Sequence, residues 1–205
     1  EIGVRLVGSE MCIRDRPTSA IALTEEELDT LSQLELTGYM DLVRDVFLVG
    51  CYTGSRFSDY AKFETLDIQD DFIGVTTQKT KTPVYIPIHQ KLRIILDKYN
   101  GSFPLFPFQI GSFTKYLKAI FKKAGFTDEV KITELRGTQK TTVIKKRYQL
   151  IGTHTARRTF ITISHKKGIP DKIIMQVAGI KSVDTLHRYI RINKDDISEA
   201  MKAWD

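Results

Sequence analysis

Only two cysteines, Cys12 and Cys51, stand in the chain, too few for a disulfide framework. Cys51 falls in the apolar run Val46-Phe47-Leu48-Val49-Gly50-Cys51-Tyr52, where a small buried thiol is the expectation. Neither a C-x-x-C nor an H-E-x-x-H spacing occurs, so no pattern for a structural or catalytic metal is present and no cofactor is expected. No stretch approaches the roughly 18 apolar residues of a membrane span. These absences together point to a reducing, cytoplasmic setting and to no membrane partner.

What remains is ordinary globular material, 41% hydrophobic and 27% charged, with a net charge of +6. The placement of charge is more telling than its sum. Between Lys115 and Arg158 stand 12 Lys/Arg against 3 Asp/Glu, which leaves the rest of the chain slightly acidic. A basic stretch confined to one region suits a phosphate-binding face, although a solvated surface would read the same way.

Residues 1–16 lack amphipathic periodicity and precede the break Pro17-Thr18-Ser19. They read as a non-native flank or the remnant of a linker, and residues 17–205 as one domain. Thr24-Glu25-Glu26-Glu27 is a capping box that opens a helix. Further helices are expected over Gly38–Tyr52 and Phe57–Phe63. The period then turns to alternation, with strands predicted at Phe72–Gln78 and Pro83–Ile88 around the turn Lys79-Thr80-Lys81-Thr82. Helices return at Gln90–Tyr99 and Ser112–Ala124, and a basic hairpin with Gly137 at its turn is expected over Lys131–Tyr148. Three short helices at Thr155–Lys166, Asp171–Val177 and Val183–Ile192 follow, with a last one at Asp195–Trp204. The fold class is α+β, mainly α, with small β-hairpins.

Four islands carry candidate chemistry. In Thr53-Gly54-Ser55-Arg56-Phe57-Ser58-Asp59 an arginine leaves a glycine turn and enters a helix, a good phosphate cradle. Alone, Arg56 reads first as a surface cation paired with Asp59. A lysine on the turn at Lys79 or Lys81 can reach a groove and give a proton to a leaving oxygen, though most turn lysines are only polar. His154 and Arg157 stand three apart at a helix start and share a face. Tyr189 follows Leu186 at i+3 and by itself reads as a core aromatic.

Taken in order, the islands resemble the tyrosine recombinase (integrase) family: TG-x-R-x-S-D, a hairpin lysine before x-I-P, H-x-x-R, then Gly179 followed ten residues later by Tyr189. The resemblance covers roughly residues 20–205. The string from His154 to Phe160 looks like the mobile-element integrases of Bacteroides-type bacteria. The resemblance implies the catalytic-domain fold of that family and a set of catalytic residues: Arg56, Lys79, His154, Arg157 and the nucleophile Tyr189. Lys79 is preferred over Lys81 because it stands eight residues before Pro87. Lys81, Lys145, Lys146, Arg147 and Arg158 are the expected DNA contacts. The implied function is a site-specific recombinase that cuts and rejoins double-stranded DNA through a 3′-phosphotyrosyl link, without metal or ATP. Its implied partners are paired DNA sites, three further copies of itself in a homotetramer, and accessory DNA-bending proteins in the bacterial nucleoid.

One departure stands out. The family presents His or Trp directly after the glycine that precedes the nucleophile, and here Gly179 is followed by Ile180, which has no hydrogen-bonding group. The expectation is a weakened site unless Lys181 or His187 supplies the missing donor, and an Ile180→His variant that cleaves faster. Two other functions therefore stay open: a binding-only relative, and a type IB topoisomerase-like enzyme that relaxes supercoils. An RNA-binding module lacks its aromatic strand signature here.

Overall fold

A computed structural model describes residues 21–105, 107, 110–136, 139–190, 197–198 and 201–202. The flank at 1–16 and the turn at Gly137 lie outside the described residues, as does most of the expected helix at Asp195–Trp204. The first helix, α1 (Glu25–Gln33), starts at the expected capping box: Thr24 accepts from the Glu27 amide, and Glu27 reaches back to the Thr24 amide. Leu28 and Leu31, one helical turn apart, carry its buried face.

The central element is α2 (Tyr39–Thr53), buried from Val43 to Thr53. A helix buried on every side must pair its charges, and Arg44 and Asp45 are joined at 2.8 Å. Lys98 and the Tyr99 hydroxyl reach Asp45 as well. Around α2 pack α4 (Gln90–Lys98), α5 (Ile110–Lys123) and α6 (Thr153–Lys166). On α5, Phe113, Leu117, Ile120 and Phe121 repeat at helical spacing and are fully buried.

Between α2 and α4 lie α3 (Phe57–Tyr60) and an antiparallel sheet of β1 (Ile68–Gln69), β2 (Phe72–Thr76) and β3 (Pro83–Pro87). Ile73 faces Ile86 across the sheet and both point inward, whereas Phe72 and Tyr85 point out. The second strand ends at Thr76 and not at Gln78, because the Thr77 hydroxyl folds into the turn and bonds Thr80 and Thr82. The basic hairpin is present as β4 (Glu129–Arg136) and β5 (Gln139–Lys146), followed by a 3-10 turn over Arg147–Leu150.

Two further helices, α7 (Asp171–Ala178) and α8 (Val183–His187), complete the described fold. They build a second apolar cluster from Ile161, Ile174, Ala178, Ile180, Leu186 and Ile190. Helix α6 belongs to both clusters, Ala156 to the main core and Ile161 to the second. Among the described residues no helix is long and apolar enough to cross a membrane, and no three His, Cys, Asp or Glu side chains are grouped to hold a metal.

Candidate active site

The site grows from the start of α6, where the Gly152 amide donates to the Thr155 hydroxyl at 3.1 Å. From that first turn Arg157 enters the core and is 1% exposed. Its Nη1 donates to two carbonyls, Gly54 O at 2.9 Å and Ala178 O at 2.7 Å. These oxygens end α2 and α7, where the last carbonyls of a helix lack partners and carry partial negative charge. Both helices stop on a glycine in the left-handed region, Gly54 with φ 66° and Gly179 with φ 61°. The remaining donors, Nε and Nη2 of Arg157, are buried and close no hydrogen bond of good geometry; the Tyr189 hydroxyl, near enough to raise the guanidinium pKa, is their neighbour. Burial pushes the guanidinium down to about 10, with Arg56 acting in the same direction and Tyr189 and Asp59 opposing. It stays a cation at neutral pH, with desolvated donors awaiting an anion.

Arg56 follows the Gly54 turn as the N-cap of α3, and its Nη1 is also buried without a partner. Asp59 is not a simple surface partner for it. The carboxylate is buried, and its Oδ1 accepts the Gln78 amide at 2.9 Å. Asp59 thus ties α3 to the turn that carries Lys79, a role invisible in the sequence because the two lie nineteen residues apart. Lys79 and Lys81 are both exposed, and Lys81 takes a left-handed φ of 49° as its amide closes on Thr77 O. The end of α7 packs on the same turn: a Cβ on Gly179 would lie 3.0 Å from Thr77 Cγ2.

His154 is open to solvent at one edge, and packing at its other side leads the causes that lower its imidazole pKa. The charges of Arg158, Arg157, Arg56 and Lys79 push in the same direction. A neutral imidazole among four cations is a proton acceptor.

Tyr189, expected inside a helix running to Ile192, lies in the turn just past α8. Its amide donates to Leu186 O at 2.8 Å and its carbonyl accepts from the Thr162 hydroxyl at 3.3 Å. The ring packs on the second apolar cluster, with the guanidinium carbons of Arg157 and Arg158 at 5.4 and 5.8 Å from its centroid. The aromatic is both a packing residue and a neighbour of two cations. Arg158, expected only as a DNA-backbone contact, sits beside it.

The basic segment is split rather than gathered. Lys145 pairs across the hairpin with Val130 and Lys146 with Glu129, so they point to opposite faces. Arg147 grips both carboxylate oxygens of Glu27 and lies 4.9 Å over the Phe126 ring. These three residues do not share one surface.

Ile180 has a packing reason. Its amide donates to Met175 O at 2.8 Å and the Gly179 amide to Gln176 O at 3.3 Å, the two bonds of a Schellman ending. That ending calls for an apolar residue at Ile180, which is 6% exposed in the second cluster. His187, one of the two candidate replacement donors, instead bonds Asp171 at 3.2 Å, and Lys181 is exposed. Ile180→His, expected from sequence to speed cleavage, is now expected to bury an imidazole among aliphatic side chains. The predicted cost is about 1–3 kcal/mol of stability, read from urea unfolding, with no gain in cleavage rate. An undiminished midpoint or a faster enzyme would contradict this packing account.

Comparisons with known proteins agree with this architecture. XerA recombinase superposes with a TM-score of 0.65 at 21% identity, over 92% of this chain and 65% of that one. A lambda integrase dimer bound to a COC' core site gives 0.58 at 21% identity, over 83% and 59%. The catalytic domain of bacteriophage HP1 integrase gives 0.55 at 20% identity, over 89% and 94%. This chain therefore spans less than two thirds of the XerA and lambda chains. Comparison with curated proteins finds no match. At these identities the likeness shows the fold, which is that of the tyrosine recombinase catalytic domain. The sequence itself matches the phage integrase family over residues 22–196, and the chain belongs to that family.

Proposed function

We propose that the protein is a site-specific DNA recombinase that cleaves and rejoins double-stranded DNA through a 3′-phosphotyrosyl link at Tyr189. The observation that carries the reading is Arg157, anchored by one nitrogen on two helix ends while its other two donors are buried with no well-formed hydrogen bond and stand beside Tyr189. Buried donors left open in this way suit a phosphate that arrives with the substrate.

In the proposed reaction, Arg157 and Arg56 bind the non-bridging oxygens of the scissile phosphate and stabilise the added charge of the transition state. The Tyr189 oxygen forms a bond to phosphorus, and its proton passes to neutral His154. The bond from phosphorus to the 5′-oxygen breaks, and Lys79 supplies the proton that this oxygen needs. Lys81, two residues on, is the alternative donor. Arg158 holds the phenolate as it develops. A 5′-hydroxyl from a second duplex then reverses the steps, so the phosphodiester energy is kept and neither ATP nor a metal enters. Lys145 and Lys146 are proposed as DNA contacts from opposite hairpin faces, whereas Arg147 would have to leave Glu27 to reach a phosphate. Lambda integrase has been seen as a tetramer bound to a Holliday junction. A homotetramer on paired sites, assisted by DNA-bending proteins, is the proposed assembly here.

Two outcomes follow. Incubated with a pool of nicked duplexes of randomised sequence, the protein should capture members covalently at Tyr189. Tyr189→Phe should abolish capture while DNA affinity changes by less than a few fold. An adduct that persists in that variant, or maps to Tyr148, rejects the assignment. Second, burial and the surrounding cations keep His154 neutral below the ordinary imidazole value, ~6.5. Single-turnover cleavage of a captured duplex should therefore stay level as pH falls from ~8 through ~6.5 and decline only below it. A decline centred at or above ~6.5, or one that survives in His154→Gln, argues against His154 as the proton acceptor.

A further inference from the structure

Outside the catalytic cluster, one trio of titratable side chains has no part in that reaction. Asp171, the first residue of α7, meets His165 Nδ1 at 3.1 Å through Oδ1 and His187 Nε2 at 3.2 Å through Oδ2. Burial raises the Asp171 pKa, but the hydrogen bonds and charges of the two imidazoles together outweigh it and hold the carboxyl below its ordinary value. An ionised carboxylate only accepts, so each imidazole nitrogen must donate. One side chain therefore joins three elements: the last turn of α6, the first turn of α7, and the last residue of α8.

That last residue stands two positions before Tyr189. With five residues, α8 is too short to hold its shape or direction by itself. Its Ser182 cap and the Arg188 bonds to Asp184 O and the Thr185 hydroxyl are internal, so they shape α8 without attaching it. Leu186 and Ile190 seat the segment in the second apolar cluster, a contact with no preferred direction. Direction comes from polar contacts to the body of the protein: Thr162 with the Tyr189 carbonyl, Asp171 with His187, and Arg157 with the Tyr189 side chain itself. The geometry also makes α7 a strut. Its Ala178 carbonyl holds Arg157 at one end, and Asp171 holds α8, which leads into the Tyr189 turn, at the other, about 10 Å away along the axis.

We propose that Asp171 and His187 are positioning residues for the nucleophile. They fix the rotation of α8 against α7, so that the Tyr189 hydroxyl is held in line with the phosphate that Arg157 binds. His165 keeps the Asp171 carboxylate in the required orientation. This rests on the reading of Tyr189 as the nucleophile and adds to it the means by which that side chain is aimed.

The test uses the full chain and a duplex recovered from the randomised nicked pool. Asp171→Ala and His187→Ala should each slow single-turnover adduct formation about tenfold, the scale of a lost charge-assisted hydrogen bond. DNA affinity should stay within about twofold, because neither residue is placed at the phosphate clamp. The double variant should be no slower than either single one, since both break the same contact. His187→Gln, whose amide can still donate, should recover most of the rate. Hydrogen exchange adds a readout independent of chemistry: the Tyr189 amide should exchange faster in both alanine variants, while those of α5 do not change. His187 lies at the surface, 57% exposed at its side chain, so its variants report even if Asp171→Ala folds poorly. Parental rates, losses that add in the double variant, losses confined to DNA affinity, or no recovery with glutamine would each overturn the proposal. An adduct that maps away from Tyr189 would overturn the underlying reading instead, whereas an adduct at Tyr189 formed at parental speed in both alanine variants defeats the clasp alone.

Discussion

Arg157 donates through one nitrogen to the carbonyls that end α2 and α7, and the geometry of the site depends on that pair of bonds. Taking a guanidinium out of water costs several kcal/mol unless partners replace the lost hydration. Two helix ends supply part of that replacement, because their carbonyls lack intrahelical donors and sit at the negative poles of their helices. The other face of the guanidinium closes no well-formed hydrogen bond and lies against Tyr189. The same side chain thus joins two helices from distant parts of the chain and presents an unsatisfied cationic face. In the proposed reading, the arginine that the fold needs in this place is also the one that meets the phosphate.

The neighbours follow from it. Both helix ends must turn sharply beside the guanidinium, and both do so on glycine. At Gly54 a Cβ would lie 2.3 Å from the Phe160 ring, so the close approach of α6 also requires the missing side chain. The chain leaving Gly54 delivers Arg56 at once, and three residues later Asp59 reaches the Gln78 amide. The chain leaving Gly179 packs on Thr77 of the same turn. Lys79 is therefore placed from two sides, by Asp59 and by the end of α7, although its own side chain is exposed.

Much of this was legible in the sequence where the signal is local. The capping box at Thr24 and the alternation around Ile73 and Ile86 each depend on residues a few positions apart. What was hidden depends on partners far along the chain. Asp59 looks like a companion to Arg56 until the hairpin turn folds back onto it. Arg147 reads as one of three consecutive basic residues, but the strand ends there and Glu27, 120 residues away, takes its guanidinium. Ile180 looks like a lost catalytic donor because its apolar partners, Ile161, Ile174 and Leu186, come together only in the folded second cluster. Tyr189 follows a helical spacing from Leu186, yet the helix stops at His187 and the tyrosine occupies the turn.

The most direct test of the account is the structure of the protein with vanadate bridging Tyr189 and the 5′-hydroxyl end of a nicked duplex recovered by covalent capture. The predicted result places non-bridging vanadate oxygens ~2.7–2.9 Å from Nε or Nη2 of Arg157 and from Nη1 of Arg56, while Arg157 Nη1 remains on Gly54 O and Ala178 O. Vanadate bound away from Arg157, or an Arg157 that must release both carbonyls to reach it, would contradict the claim that one guanidinium holds the fold with one side and the phosphate with the other.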